Sequence, residues 1–64
     1  MIFIIKVTTN KEDRAVEMIY DRAVKKNLDV YSVIRPHGLR GYIILEVADR
    51  DSAEEAAFNL PYVK

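Results

Sequence analysis

Arg40-Gly41-Tyr42-Ile43-Ile44-Leu45-Glu46-Val47 decides the fold. Residues 42–47 are apolar except for Glu46, and rich in the β-branched and aromatic types that suit a pleated strand. Gly41 sits at the turn that leads in. Side chains alternate along a strand. Ile43, Leu45 and Val47 therefore share one face, and Tyr42, Ile44 and Glu46 the other. The wholly apolar face demands a cover. The mixed face can point outward. Ile2 to Val7 repeats the pattern, with Phe3, Ile5 and Val7 on one side and Ile2, Ile4 and Lys6 on the other.

Helical patterns surround these strands. Thr9-Asn10-Lys11-Glu12 predicts a helix start in which Thr9 caps and Glu12 reaches back as a capping box. Ala15, Val16, Ile19, Tyr20 and Ala23 follow at helical spacing, with charged residues on the other side. Its acids come early and its lysines late, which suits the helix dipole. Asn27 ends it. Asp29 to Ile34 predicts a second strand, but both of its alternating sets contain apolar residues, so its inward face is left open. Pro36 and Gly38 mark a loop over 35–40. After a polar break at 49–52 with several candidate N-caps, Ala53, Ala56, Ala57 and Leu60 form a small-residue stripe suited to close packing on a sheet. Pro61 stops this helix, and Phe58, off the stripe, is expected at the sheet's edge. Tyr62-Val63-Lys64 reads as the beginning of another strand.

The order is β-α-β-β-α with a final β cut short. It predicts an α+β, ferredoxin-like (split βαβ) fold: an antiparallel sheet with both helices on one face. Residues 1–64 are expected to form a single domain, because 64 residues lie at the small end of domain sizes. Half of the residues are hydrophobic and 31% are charged, a globular balance. Ten basic residues offset ten acidic ones, which argues against holding nucleic acid or anionic membrane by charge alone. The chain has no cysteine, so thiolate chemistry and cysteine-based zinc sites are absent and an intracellular setting is expected. Met1 to Ile5 is too short an apolar run for a signal peptide or a membrane span.

No constellation for catalysis stands out, and the chain is read as no enzyme, without cofactor or metal site. His37 is the single histidine and lies in the loop beside Gly38. Glu54-Glu55 and Asp49-Asp51 lie where a helix start explains them. Gly38 and Gly41 lack the following helix that a phosphate cradle needs. The outward sets are more informative. Ile2, Ile4, Tyr42 and Ile44 fall on the face with no helix above it, and a contiguous apolar patch on neighbouring strands marks a partner surface.

Several stretches resemble the N-terminal (NGN) domain of the NusG family of transcription elongation factors, especially its archaeal members. They are Ile2-Phe3-Ile4-Ile5-Lys6-Val7-Thr8, the helix with Glu12, Ala15, Val16, Met18, Ile19 and Arg22-Ala23, Leu28 to Ile34, Arg40-Gly41-Tyr42-Ile43-Ile44-Leu45-Glu46, and Leu60-Pro61-Tyr62-Val63-Lys64. They run collinearly through nearly the whole chain. The resemblance implies a domain that binds the coiled coil of the RNA polymerase clamp through an apolar depression, in the cytoplasm, on transcribing polymerase. By alignment that depression falls on Ile4, Tyr42 and Ile44, with Ile2, Leu39 and Met18 at its margin. It also implies a heterodimer with a small zinc-binding elongation-factor subunit joined by extension of the sheet, the zinc being the partner's. Arg35 and Arg40 are candidates for a secondary DNA contact, although a solvated loop is the simpler account of both. The family's domain continues past the position of Lys64, and its usual KOW domain is not in this chain.

The RNA-recognition motif shares the β-α-β-β-α-β order, and Arg40-Gly41-Tyr42 matches the start of its third-strand signature. Ile44 and Val47 stand where that motif needs stacking rings, and an isoleucine has no π face. A ferredoxin-like small-molecule sensor is supported by fold analogy alone.

Overall fold

The computed structural model describes residues 1–64. Three strands, β1 (Ile2–Lys6), β2 (Val30–Ile34) and β3 (Tyr42–Val47), and two helices, α1 (Glu12–Lys25) and α2 (Arg50–Ala57), follow in the order β1-α1-β2-β3-α2. The sheet order is β1-β3-β2, with both pairs antiparallel. This is the split βαβ arrangement: β1 and β2 run parallel, and β3 fills the space between them.

β3 is central because it must be. Its inward set, Ile43, Leu45 and Val47, is fully buried. These residues pack with Ala15 and Ile19 of α1 and Ala53 and Ala56 of α2 in one core that also takes in Val7. Alanines at the α2 contact let that helix lie close to the sheet. Phe3 and Ile5 of β1 and Val30 and Val33 of β2 pack around this core.

β2 settles its ambiguous face with a bulge. The register steps from Val30↔Val47 to Ser32↔Glu46, leaving Tyr31 without an opposite residue. Val30 and Val33 can thus both turn inward while Tyr31 points away, 67% exposed. Strict alternation could not place both valines on one side.

The helix ends differ from the sequence reading in two places. Lys11, not Thr9, occupies the N-cap of α1, and no side chain caps it. Thr9 and Asn10 form a turn, with Asn10 in the left-handed region at φ 73°. The Glu12 carboxylate is engaged elsewhere, so the capping box does not form. At the other end Asn27 does terminate α1, with φ 53°. α2 starts under Asp49, whose carboxylate accepts the Ser52 amide at 2.8 Å. It ends at Ala57, three residues before Leu60, because Phe58 turns extended and Asn59 is left-handed. Leu60 packs on the core from outside the helix. Phe58 is 67% exposed and not tucked at the sheet edge, its carbonyl being taken by Arg22.

Tyr62 to Lys64 lies against the outer edge of β1. Thr8 donates to the Tyr62 carbonyl and Lys64 to the Lys6 carbonyl, both at 2.9 Å, around a Val7↔Val63 bridge. That is the first step of a fourth strand. Neither helix is long and apolar enough to cross a membrane.

Emptying the centre of this core should be costly. Ile43→Ala removes a fully buried side chain and is expected to lose about 2–5 kcal/mol, out of a total margin of roughly 3–10 kcal/mol for a chain of this size. Urea unfolding followed by circular dichroism should show a much lower midpoint, or no folded baseline.

Candidate partner-binding face

The face of the sheet opposite the helices is uncovered. The inward set of β3 fixes its composition, because Tyr42, Ile44 and Glu46 must then point outward. The register arranges the outward side chains in three rows. Ile4, Ile44 and Ile34 lie side by side across β1, β3 and β2. Lys6 opposes Tyr42 on one flank, and Ile2, Glu46 and Ser32 form the other. Directly opposed side chains in such a ladder lie about 4.5–5.5 Å apart at Cβ, close enough to touch.

The result is an isoleucine stripe between two flanks that carry polar groups. Ile44, flanked on both sides, is half-buried, as is Tyr42. Ile4 and Ile34 remain 65% and 50% exposed and Ile2 68%. On one flank stands the Lys6 ammonium. On the other, the Ser32 hydroxyl and the Glu46 carboxylate are 3.3 Å apart and hydrogen-bonded. Apolar side chains this exposed and this contiguous gain free energy only when something covers them.

Sequence reasoning placed Ile2, Ile4, Tyr42 and Ile44 together, and the structure puts them on this one face. It missed Ile34, which completes the stripe. The bulge that assigns Ile34 to this face leaves no mark in the alternation of apolar residues. Leu39, 42% exposed, sits on the loop that runs from β2 to β3, two residues before Gly41. Met18 is elsewhere: it is half-buried on α1, in a cleft with Asp21, Arg22, Lys25, Lys26 and Leu60 on the helical side of the molecule. Helix and open face lie on opposite sides of the sheet, so Met18 does not border the stripe.

The two loop arginines differ. Arg35 is held by Asp13 of α1, with Nε 2.6 Å from the carboxylate, and that pairing keeps its guanidinium above its ordinary pKa. Arg40 is exposed and forms no ion pair. The stripe offers one aromatic ring, Tyr42. A base-stacking platform needs more, because isoleucine presents no π face to a nucleobase.

The loop is fixed to α1 at its far end too. Gly41, buried and at φ 80°, donates its amide to the Glu12 carboxylate at 2.6 Å, and its carbonyl accepts from Val7 at 2.8 Å. The Gly41 amide, then the amides of Glu12 itself and of Asn10, hold the Glu12 carboxyl below its ordinary value, and Arg35 adds to this. Gly41 cannot be exchanged freely, because a Cβ there would lie 3.3 Å from the Thr9 hydroxyl on a backbone that L side chains avoid.

Comparison with known proteins places this arrangement. The model of the Spt5-NGN family, described as early transcription elongation factor of RNA pol II, NGN section, matches residues 1–64. The transcription elongation factor Spt5 of Methanocaldococcus jannaschii is 31% identical over 64 residues, covering all of this chain and 44% of that protein. The Aeropyrum pernix Spt5 is 36% identical over 62 residues, 97% of this chain and 41% of that protein. The chain thus spans less than half the length of these relatives. Among solved structures, the N-terminal domain of NusG (NGN) from M. jannaschii superposes with a TM-score of 0.94 at 31% identity, over all of this chain and 80% of that one. An Spt4 heterodimer complex from Methanococcus jannaschii gives 0.96 at 31% identity, over all of this chain and 76% of the matched one.

The depressed carboxyls predict the direction of acid sensitivity. A carboxyl whose folded pKa lies below its unfolded value stabilises the fold fully above that unfolded value and loses the contribution as pH falls through the folded one. Glu12 and Asp49 are both of this kind. The urea midpoint should hold on descent towards pH 4.5, the ordinary value for Glu12, and fall below it. Glu12→Gln should flatten part of that fall, as read from urea midpoints across the acid range.

Proposed function

The chain belongs to the Spt5 NGN family of transcription elongation factors, and on that premise we propose that its open sheet face binds the coiled coil of the RNA polymerase clamp and supports processive elongation. The observation that carries the proposal is the row Ile4–Ile44–Ile34 with Tyr42 beside it. A coiled coil exposes aliphatic and long side chains at the edges of its seam. A flat aliphatic stripe with one ring suits such a surface better than it suits nucleic acid. Lys6 and Glu46, on opposite flanks of the stripe, supply opposite charges that can fix the orientation of a helical partner.

In this reading the chain works by binding and not by catalysis, in the cytoplasm, wherever RNA polymerase is transcribing. Solved neighbours of this domain are complexes of Spt5 with Spt4, and a small Spt4-type subunit is the second proposed partner, joined by extension of the sheet. Any zinc in that pair would be the subunit's own. Arg40, free of ion pairs, is the better placed of the two arginines for a secondary DNA contact.

Binding of archaeal RNA polymerase to the domain tests the main reading. Tyr42→Ala and Ile4→Arg alter exposed or half-exposed side chains, so each should leave the urea midpoint almost unchanged. Each should weaken polymerase binding by about tenfold or more, the scale of a central interface residue. Ile34→Arg should do the same, although sequence alternation alone does not single it out. Equal recovery of polymerase by wild type and Tyr42→Ala would sink the proposal. Salt-sensitive binding of labelled single-stranded RNA, lost with Tyr42→Ala, would favour the RNA-recognition alternative.

A further inference from the structure

Two adjacent carboxylates at the start of α1 hold the two ends of the loop between β2 and β3. Asp13 takes Arg35 at the loop's beginning, and Glu12 takes the Gly41 amide at its end, each at 2.6 Å. Between these anchors the loop has little else. Leu39 donates to the Pro36 carbonyl at 3.3 Å, and a Cβ at Gly38 would meet nothing within 4 Å. The loop's shape is therefore set at its ends.

Glu12 is the more telling anchor. It is only 7% exposed, which is rare for a glutamate without a firm partner. It lies in the first turn of a helix whose N-cap has no side-chain hydrogen bond, yet the strongest partner of its carboxylate is outside the helix. It reaches a backbone amide 29 residues away. A charge-assisted bond to a buried amide is among the stronger hydrogen bonds available. Gly41 is thereby tied on both sides, by Glu12 at its amide and by Val7 at its carbonyl. Tyr42 is the next residue. Its pairing with Lys6 is the last in the β1–β3 register, so on the loop side it is steadied only through Gly41, by the Val7 and Glu12 bonds.

We infer that Glu12 is a positioning residue for the partner-binding face: by holding the Gly41 amide it sets the direction in which Tyr42 leaves the loop. This rests on the reading of that face as the polymerase-binding surface. Glu12 itself touches no partner. Its effect is to preorganise Tyr42, so that binding does not have to order the start of β3.

The test compares polymerase binding, stability and the proton shift of the Gly41 amide in four variants. Glu12→Ala removes the acceptor. Glu12→Asp keeps the charge but is one methylene short of Gly41. Glu12→Gln keeps an oxygen at the same reach. Asp49→Ala removes the cap of α2, on a different element, and serves as the control for lost stability. Glu12→Ala and Glu12→Asp should lose about tenfold in polymerase affinity, with the Gly41 amide proton shifted upfield; Glu12→Gln should recover most of the affinity. Asp49→Ala should bind as wild type even with a lowered urea midpoint. Should Glu12→Ala not fold, Glu12→Asp against Glu12→Gln makes the same comparison. The inference is overturned if Glu12→Asp binds as wild type while the Gly41 proton shifts. It is equally overturned if Asp49→Ala loses as much affinity as the Glu12 variants at matched stability. Both results leave the polymerase reading standing as long as Tyr42→Ala still weakens binding; a Tyr42→Ala domain that binds normally removes that reading instead.

Discussion

Everything in this molecule depends on the burial of alternate residues of β3. Ile43, Leu45 and Val47 have no accessible surface. A strand can hide one face that completely only if it has neighbours on both edges and helices above it. That single demand places β1 and β2 on either side, puts α1 and α2 on the same face, and calls for the alanines that let α2 come close. A domain of 64 residues has no second core to fall back on. Parity along six residues therefore sets both the stability of the chain and the identity of the side chains left outside.

The same parity separates two tasks on opposite faces of one sheet. The inward face holds the fold together. The outward face can vary with less consequence for stability, because its side chains lie largely in solvent. The two tasks meet at Gly41, where the buried Glu12 carboxylate grips the backbone just before Tyr42. A helix that packs on the inner face thus reaches round the loop to the start of the outer one.

Much of this was legible from residue order. One charge in a single set, Lys6 in 2–7 and Glu46 in 42–47, told the two faces apart, and helical spacing announced α1 and the alanine stripe of α2. Asn27 marked the end of α1 because an asparagine tolerates the left-handed backbone found there. The rest was set by contacts between distant segments, which local pattern does not record. The bulge at Tyr31 decides the face of Ile34, and bulges arise from the fit of two strands. The Thr9–Glu12 spacing fits a capping box, but a buried amide at Gly41 competes for the same carboxylate and wins. Alignment with the family puts Met18 at the margin of the open face, yet α1 lies across the sheet from that face, and Met18 stands beside Leu60. Tyr31, Tyr20 and Phe58 are exposed for reasons that lie in packing, not in their hydrophobicity.

The strand register also orders events in time. Ile34 and Ile44 pair across a gap of ten residues, whereas Ile4 and Ile44 pair across forty. Closing the longer loop costs more chain entropy, by a margin that grows with the logarithm of its length. The β2–β3 hairpin is the pairing that can form early, and β1 must wait for it. In a chain made from its N-terminus, the first strand to emerge is thus among the last to be sheltered. Ile2, Phe3, Ile4 and Ile5 remain a free apolar segment throughout that wait, with Lys6 as the nearest charged side chain to discourage its pairing with other chains.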